Sequence, residues 1–250
     1  MARREVVGRY KGSAMGLLWS LINPLMMLVI YTFVFSVVFK AKWHAGDAAE
    51  PRSQFAILLF AGMIVQAFFA EVLNRSPQLI VANANYVKKV VFPLEVLVAV
   101  VTLAALFHTV ISVGVLLLAY AVVHEGLQWT AVFLPLVFLP LAMLSMGCGW
   151  VISSLGVFAR DIGQIVGVLT TVLMFLSPIF FPVSALPPSI QPWMQLNPLT
   201  FIIEQTRAVL IFGQLPDWSG LASYAFFASM AAWAGYAWFQ KTRKGFADVL

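Results

Sequence analysis

Residues able to do chemistry are sparse in this chain. The three histidines, His44, His108 and His124, stand alone. No H-E-x-x-H helix, no Cys/His cluster at metal-ligand spacing and no G-x-S-x-G nucleophile elbow accompanies them, so metal-assisted and acyl-transfer hydrolysis find no residues here. A G-x-x-x-x-G-K-[ST] loop to cradle nucleotide phosphates is also missing. Any dependence on ATP must therefore come from another chain, and no cofactor is expected on this one.

What remains are isolated ionisable groups and short pairs. His108 lies in a long apolar run, where an imidazole either relays protons or hydrogen-bonds a neighbouring helix. Glu204 and Arg207, three residues apart, share a helix face and can pair there. Arg160-Asp161 sits between two apolar runs, suited to capping or bridging helix ends. Glu71 and Glu95 fall near the ends of other runs. The single cysteine, Cys148, excludes an internal disulfide. Gly163-x-x-x-Gly167 and Gly12-x-x-x-Gly16 permit close helix approach, a spacing that also arises by chance in so apolar a chain.

The elements that position these groups are membrane helices. The 250 residues are 62% hydrophobic and 10% charged, against about 45–50% and about 25% in soluble domains. A transmembrane helix needs about 20 mostly apolar residues, and 21–39 supplies nineteen without a charge. A cleavable signal carries only about 7–15. Five further runs follow, and all are continuously apolar rather than alternating, which selects helices over barrel strands. The expectation is an all-α membrane protein, one domain over 1–250, with six transmembrane helices at 21–39, 54–73, 94–123, 128–158, 162–181 and 219–239. Spans three and four exceed a simple crossing and must tilt, kink or project. Pro135 and Pro140 are natural kink points in span four.

Basic residues orient the spans. With the N-terminus inside, Arg3, Arg4, Arg9, Lys11, Arg75, Lys88, Lys89, Arg160, Lys241, Arg243 and Lys244 lie inside, and Lys40, Lys42, Arg52 and Arg207 outside, eleven against four. Both termini are then cytoplasmic. The net charge of +5 is mostly this bias and implies no nucleic-acid partner.

Three segments outside the spans carry information. In 1–20, Val6, Tyr10, Ala14 and Leu17 share one helical face while Arg4, Arg9 and Lys11 fall largely elsewhere, an N-terminal amphipathic interface helix that either anchors the topology or also docks a cytoplasmic partner. After span two, Ser76-Pro77 reads as a helix start, a hydroxyl cap followed by proline, giving a short helix over 77–84 and a basic stretch to Phe92-Pro93. That segment is either a solvated loop or a surface for a soluble subunit. Between spans five and six, two short apolar pieces, 190–196 and 199–212, are too short to cross. They are read as two non-spanning helices, interfacial or re-entrant, and irregular backbone at membrane depth must be buried in protein or line a cavity.

Four stretches together resemble the permease subunit of ABC-2-type exporters of O-antigen, related polysaccharides or teichoic acids. They are "RYKGSAMGLLWSLINPLMMLVIYTFVFSVVF", "NANYVKKVVFPLEV", "FARDIGQIVGVLTTVLMFLSPIFFP" and "LNPLTFIIEQTRAVL", in family order over most of the chain. Leu94 departs from the basic residue common at its position. The resemblance implies a homodimeric channel in the bacterial inner membrane, two copies of an ATP-binding cassette subunit holding the ATP and Mg, and a lipid-linked polysaccharide as cargo. It places ATPase coupling on Pro77, Gln78, Asn83, Asn85, Lys88, Lys89, Arg160 and Asp161. It also favours spans one and five as channel wall, where Tyr31, Phe33, Phe35, Phe39, Phe175, Phe180 and Phe181 would stack on sugar rings, although such aromatics also face lipid or neighbouring helices. An ABC-2 exporter of a drug or simple lipid is the nearest alternative. A stand-alone ion-coupled carrier, with His108 as its only intramembrane candidate, is the other.

Overall fold

The computed structural model describes residues 15–39, 52–88, 92–124 and 126–250, together with Glu5, Val6, Gly8 and Trp43. Among these residues the secondary structure is helical, without strands. The helices are α1 (Trp19–Tyr31), α2 (Arg52–Leu79), α3 (Ala84–Lys88), α4 (Val96–His124), α5 (Leu134–Phe158), α6 (Ile162–Phe175), α7 (Gln191–Gln195), α8 (Pro198–Leu210), α9 (Trp218–Thr242) and α10 (Phe246–Val249). A π-helical stretch, Thr32–Val38, prolongs α1. Most of the proposed interface helix, including Arg3, Arg4, Arg9, Tyr10, Lys11 and Ala14, lies outside the described residues, as do Lys40, Lys42, His44 and Lys89.

Three helical segments are long and apolar enough to cross a membrane: Gln54–Leu79, Val96–His124 and Trp129–Phe158. Trp19–Phe35 and Ile162–Phe175 are shorter apolar helices. α9 has the length, 25 residues, at lower apolarity.

α2 is the hub, touching α1, α4, α5, α6 and α8. Its Leu58, Leu59, Ala61, Val65 and Val72 are fully buried. A smaller cluster at one end joins Ile80, Leu94, Leu97, Val157, Phe239 and Phe246, so the segment after α2 is held against the ends of α5 and α9. Three ion pairs among the described residues lie near these helix ends. Arg243 meets Glu95 at 3.1 Å, and Arg75 meets Glu71 at 3.7 Å as well as Glu5.

Local sequence accounts for several helix boundaries. Asn197 caps α8 by accepting from the Leu199 N–H at 2.9 Å, with Pro198 in the first turn. Asp217 caps α9 by accepting from the Gly220 N–H at 3.1 Å and the Ser219 hydroxyl at 2.8 Å. Those bonds hold the Asp217 carboxyl below the usual carboxylate range, Gly220 being the main cause. α6 stops at Phe175, six residues before the end expected for span five, because Pro178 has no N–H to donate and disfavours helix in the residue before it.

The prolines elsewhere act differently from expectation. Ser76-Pro77 does not open a helix; α2 runs through it to Leu79. The Ser76 hydroxyl donates to the Val72 carbonyl at 2.7 Å inside the helix, instead of capping a new one. Pro135 lies in the first turn of α5, where its missing N–H costs nothing, so only Pro140 stands inside that helix.

Helices meet closely where side chains vanish. A Cβ on Gly156 of α5 would lie 2.0 Å from the Pro77 carbonyl oxygen, and one on Gly235 of α9 2.3 Å from the Gly147 carbonyl oxygen of α5. Backbone-to-backbone approach of this kind is the way helices gain contact in a solvent as apolar as themselves. A Gly156→Ala variant is expected to lose about 1–3 kcal/mol through overpacking, read as a lower thermal midpoint in detergent. Gly114→Ala, where a Cβ meets nothing within 4 Å, should leave the midpoint unchanged or higher.

Candidate functional site

At one end of the bundle, the last turns of α2 and the first turns of α6 enclose a cleft of about 630 Å³. Pro77, Gln78 and Arg160 line it together with Asn74, Gly163 and Gln164, so three of the residues singled out for ATPase coupling share one surface. Pro77 is buried against Gly156, whereas Gln78 and Arg160 are exposed. Asp161 is exposed at the start of α6. Its backbone carbonyl accepts from Gln164 and Ile165, and its side chain makes no cap. Asn83 donates to the Leu79 carbonyl at 2.8 Å and thereby stabilises the turn after α2. Asn85 is exposed on α3. Lys88 ends α3 with its side chain outside the described residues.

A second constellation surrounds Arg207 on α8. The residue is 3% exposed. Its Nε donates to the Leu58 carbonyl at 3.0 Å, one terminal nitrogen to the Pro178 carbonyl at 2.6 Å and the other to the Ile179 carbonyl at 3.0 Å. Its guanidinium carbon also lies 4.3 Å from the centre of the Trp43 ring, within cation–π range. Burial draws its pKa down to about 9, with Glu204 opposing the shift, so it stays charged at neutral pH. Glu204 itself is exposed, and the hydrogen bonds of Arg207 go to main-chain carbonyls instead of to it. A carbonyl cage of this kind could not be read from the Glu204/Arg207 spacing, since two of its oxygens come from the break after α6. Gly62 makes the room: a Cβ there would stand 2.9 Å from the guanidinium.

Four of the seven aromatic residues assigned to the channel wall, Phe35, Phe39, Phe175 and Phe180, form part of a row beside this cage. Phe35 lies 5.6 Å from Phe55, 5.8 Å from Phe39 and 6.1 Å from Phe180, and Phe180 lies 6.0 Å from Phe175. Phe55 meets Trp43 at 5.7 Å, and Tyr31 meets Phe60 at 6.5 Å. Phe33 and Phe181 stand outside this row; Phe33 is exposed and Phe181 half-buried. His108 lines a separate cavity of about 370 Å³ between α1, α2 and α4, with Asn23, Tyr31 and Glu71. No group of three or more metal-ligand side chains occurs among the described residues.

Apolar helices of membrane-crossing length, a polar cleft at one end and a buried cation holding a broken helix elsewhere define a polytopic helical membrane protein. The chain belongs to the ABC-2 type transporter family, whose profile matches residues 1–211. It is similar to the O-antigen export system permease protein RfbA of Myxococcus xanthus, 25% identical over 252 residues that cover 100% of this chain and 94% of that protein. The polysialic acid transport protein KpsM of Escherichia coli is 27% identical over 241 residues, 94% of this chain and 88% of its own length. The capsule polysaccharide export inner-membrane protein CtrC of Neisseria meningitidis serogroup B is 27% identical over 208 residues, 82% of this chain and 75% of its own.

Replacing Arg207 tests the cage. Arg207→Met is expected to lower stability by about 2 kcal/mol or more, because charge-assisted hydrogen bonds are lost together. Arg207→Lys should recover only part, since a point charge cannot reach three carbonyls as a planar fork does. Denaturation midpoints of the purified proteins in one detergent give the comparison; wild-type stability in both variants would contradict a structural role.

Proposed function

We propose that this chain is the membrane subunit of an ATP-driven exporter that moves a lipid-linked polysaccharide from the cytoplasm outward across the bacterial inner membrane. The observation that carries the reading is the continuous match of the whole chain to an O-antigen export permease, with capsule and polysialic acid transport proteins also similar over most of their length. Six spans with both termini inside follow from the hydropathy and the eleven-to-four bias of basic residues. Two copies form the channel, and two copies of a separate ATP-binding subunit supply the nucleotide and Mg. The amphipathic segment 1–20 lies on the inner membrane surface.

Force enters through the inner ends of the helices. Pro77, Gln78 and Arg160 line the mouth of a cleft open to part of a partner, with Asn83, Asn85, Lys88 and Asp161 in the adjoining turns and Lys89 next to Lys88 in sequence. Close packing of Gly156 on Pro77 gives a push at this cleft a stiff path into α5. Tyr31, Phe33, Phe35, Phe39, Phe175, Phe180 and Phe181 supply apolar ring faces for the C–H faces of sugars, which bind by stacking without holding the polymer fast. Glu204 and Arg207 stand at the outer end, Arg207 as a structural anchor.

ATP-dependent uptake of labelled lipid-linked polysaccharide into inverted vesicles, with the chain and its ATP-binding partner present, tests this function directly. Uptake of a simple lipid or drug in place of polymer would move the reading to another ABC-2 cargo. Within the functional complex, Lys88→Glu with Lys89→Glu is expected to reduce export roughly tenfold or more by weakening contact with the partner, while insertion into the membrane stays normal. Export and polymer-stimulated ATP hydrolysis at wild-type levels would remove these lysines from the coupling surface.

A further inference from the structure

The cleft between α2 and α6 does not end at its exposed mouth. It continues along α6 past Gly163, Gln164 and Gly167 to Thr171, nine residues into the helix. That is about 14 Å along the axis, close to half of a hydrocarbon core about 30 Å thick. Asn74, Gln78, Gln164 and Thr171 are polar side chains that line it beside Arg160. Gln78 and Gln164 are exposed, and neither side chain makes a hydrogen bond within the described protein. Deeper in, Asn74 is exposed and uses only its carbonyl oxygen, which accepts from the Thr170 hydroxyl at 3.3 Å. Gln66 donates to the Thr170 carbonyl at 2.8 Å, and its own side-chain oxygen is buried without a partner. The Thr171 hydroxyl donates to Gly167 and keeps its lone pairs. No Cβ narrows the cleft at Gly167, where nothing lies within 4 Å.

An unspent Asn74 amide facing lipid would be costly, so the cleft beyond its mouth suits water or a polar ligand. Each amide offers two donors and an acceptor. That set matches vicinal hydroxyls, which both donate and accept. Neutral hydrogen bonds of this sort exchange readily with water, so they select a polyol without arresting it. Among the described residues, Arg160 is the only charged one lining the cleft, and no carboxylate does. A cationic ligand therefore finds no counter-ion, whereas a neutral or anionic sugar meets no repulsion.

We propose that Asn74, Gln164 and Thr171 form a hydrogen-bonding track that contacts the hydroxyl groups of the exported sugar chain, an assignment that rests on the polysaccharide-export reading above. The aromatic row then serves the apolar sugar faces, and the amide track serves the hydroxyls.

The test uses the full chain assembled with its ATP-binding partner in inverted vesicles and a radiolabelled neutral hexose polymer on a polyprenyl diphosphate carrier. Asn74→Leu and Gln164→Leu are each expected to cut ATP-driven uptake roughly tenfold, the effect of losing one or two hydrogen bonds at a step repeated along the polymer. Gln164→Asn should recover part of it. All variants should be recovered with the partner in wild-type amount. A photo-reactive phenylalanine analogue replacing Thr171 should cross-link to the labelled polymer during transport. Wild-type uptake by both leucine variants would overturn the track, as would an absence of cross-linking at position 171. Loss of the partner from the leucine variants would also overturn it and assign the whole cleft to docking. If the unaltered complex moves no polymer, the function itself fails, a result distinct from any difference among variants.

Discussion

A charge buried among apolar helices persists only if the protein surrounds it with partners, and Arg207 is where this constraint shapes the molecule most. Its fork gathers a carbonyl from α2 and two from the break after α6. Three segments distant in sequence are thereby fixed in one relation. Pro178 frees the chain from helix, and the cage then uses the carbonyls that the break exposes. Phe180 follows directly, so the placement of its ring against Phe35 and Phe175 descends from the same cage. Gly62 supplies the space that the guanidinium occupies.

Close packing handles the other end. Between Pro77 and Gly156, and between Gly147 and Gly235, main chains touch main chains. Contacts of this kind are short and stiff, because no flexible side chain lies between the helices to absorb a displacement. The turns at this end are held further by Phe246, buried against Phe239, and by the pairing of Glu95 with Arg243. A displacement at the cleft of Pro77, Gln78 and Arg160 would thus meet closely packed backbone.

Membrane character was legible because hydropathy depends on local composition alone, and the long helices around Val65, Ala105 and Ala142 arise from runs that no soluble domain would carry. Pro198 stands where the second short outer piece begins, whereas the break at Pro178 is a local signal that the expected span to 181 runs through. Other signals misled for the same reason. Ser76-Pro77 has the local form of a helix start, but tertiary packing against Gly156 and the Ser76 bond to Val72 carry α2 through it. Glu204 and Arg207 have the spacing of an ion pair, but desolvation turns Arg207 inward to carbonyls that no spacing rule relates to it.

The sequence by itself determined the solvent this chain is built for, the number and approximate place of its apolar runs, and the family, because those depend on residue types read in order. Only the tertiary structure decided which polar groups meet. Cleft residues Asn74, Gln78, Arg160 and Gln164 come from two segments more than eighty positions apart, and the Arg207 cage spans a longer separation still, 149 positions from Leu58. Such meetings rest on helix crossing, on which faces glycine leaves open and on where burial makes a carbonyl the best available partner. These are properties of the packed bundle, and no single stretch of chain contains them.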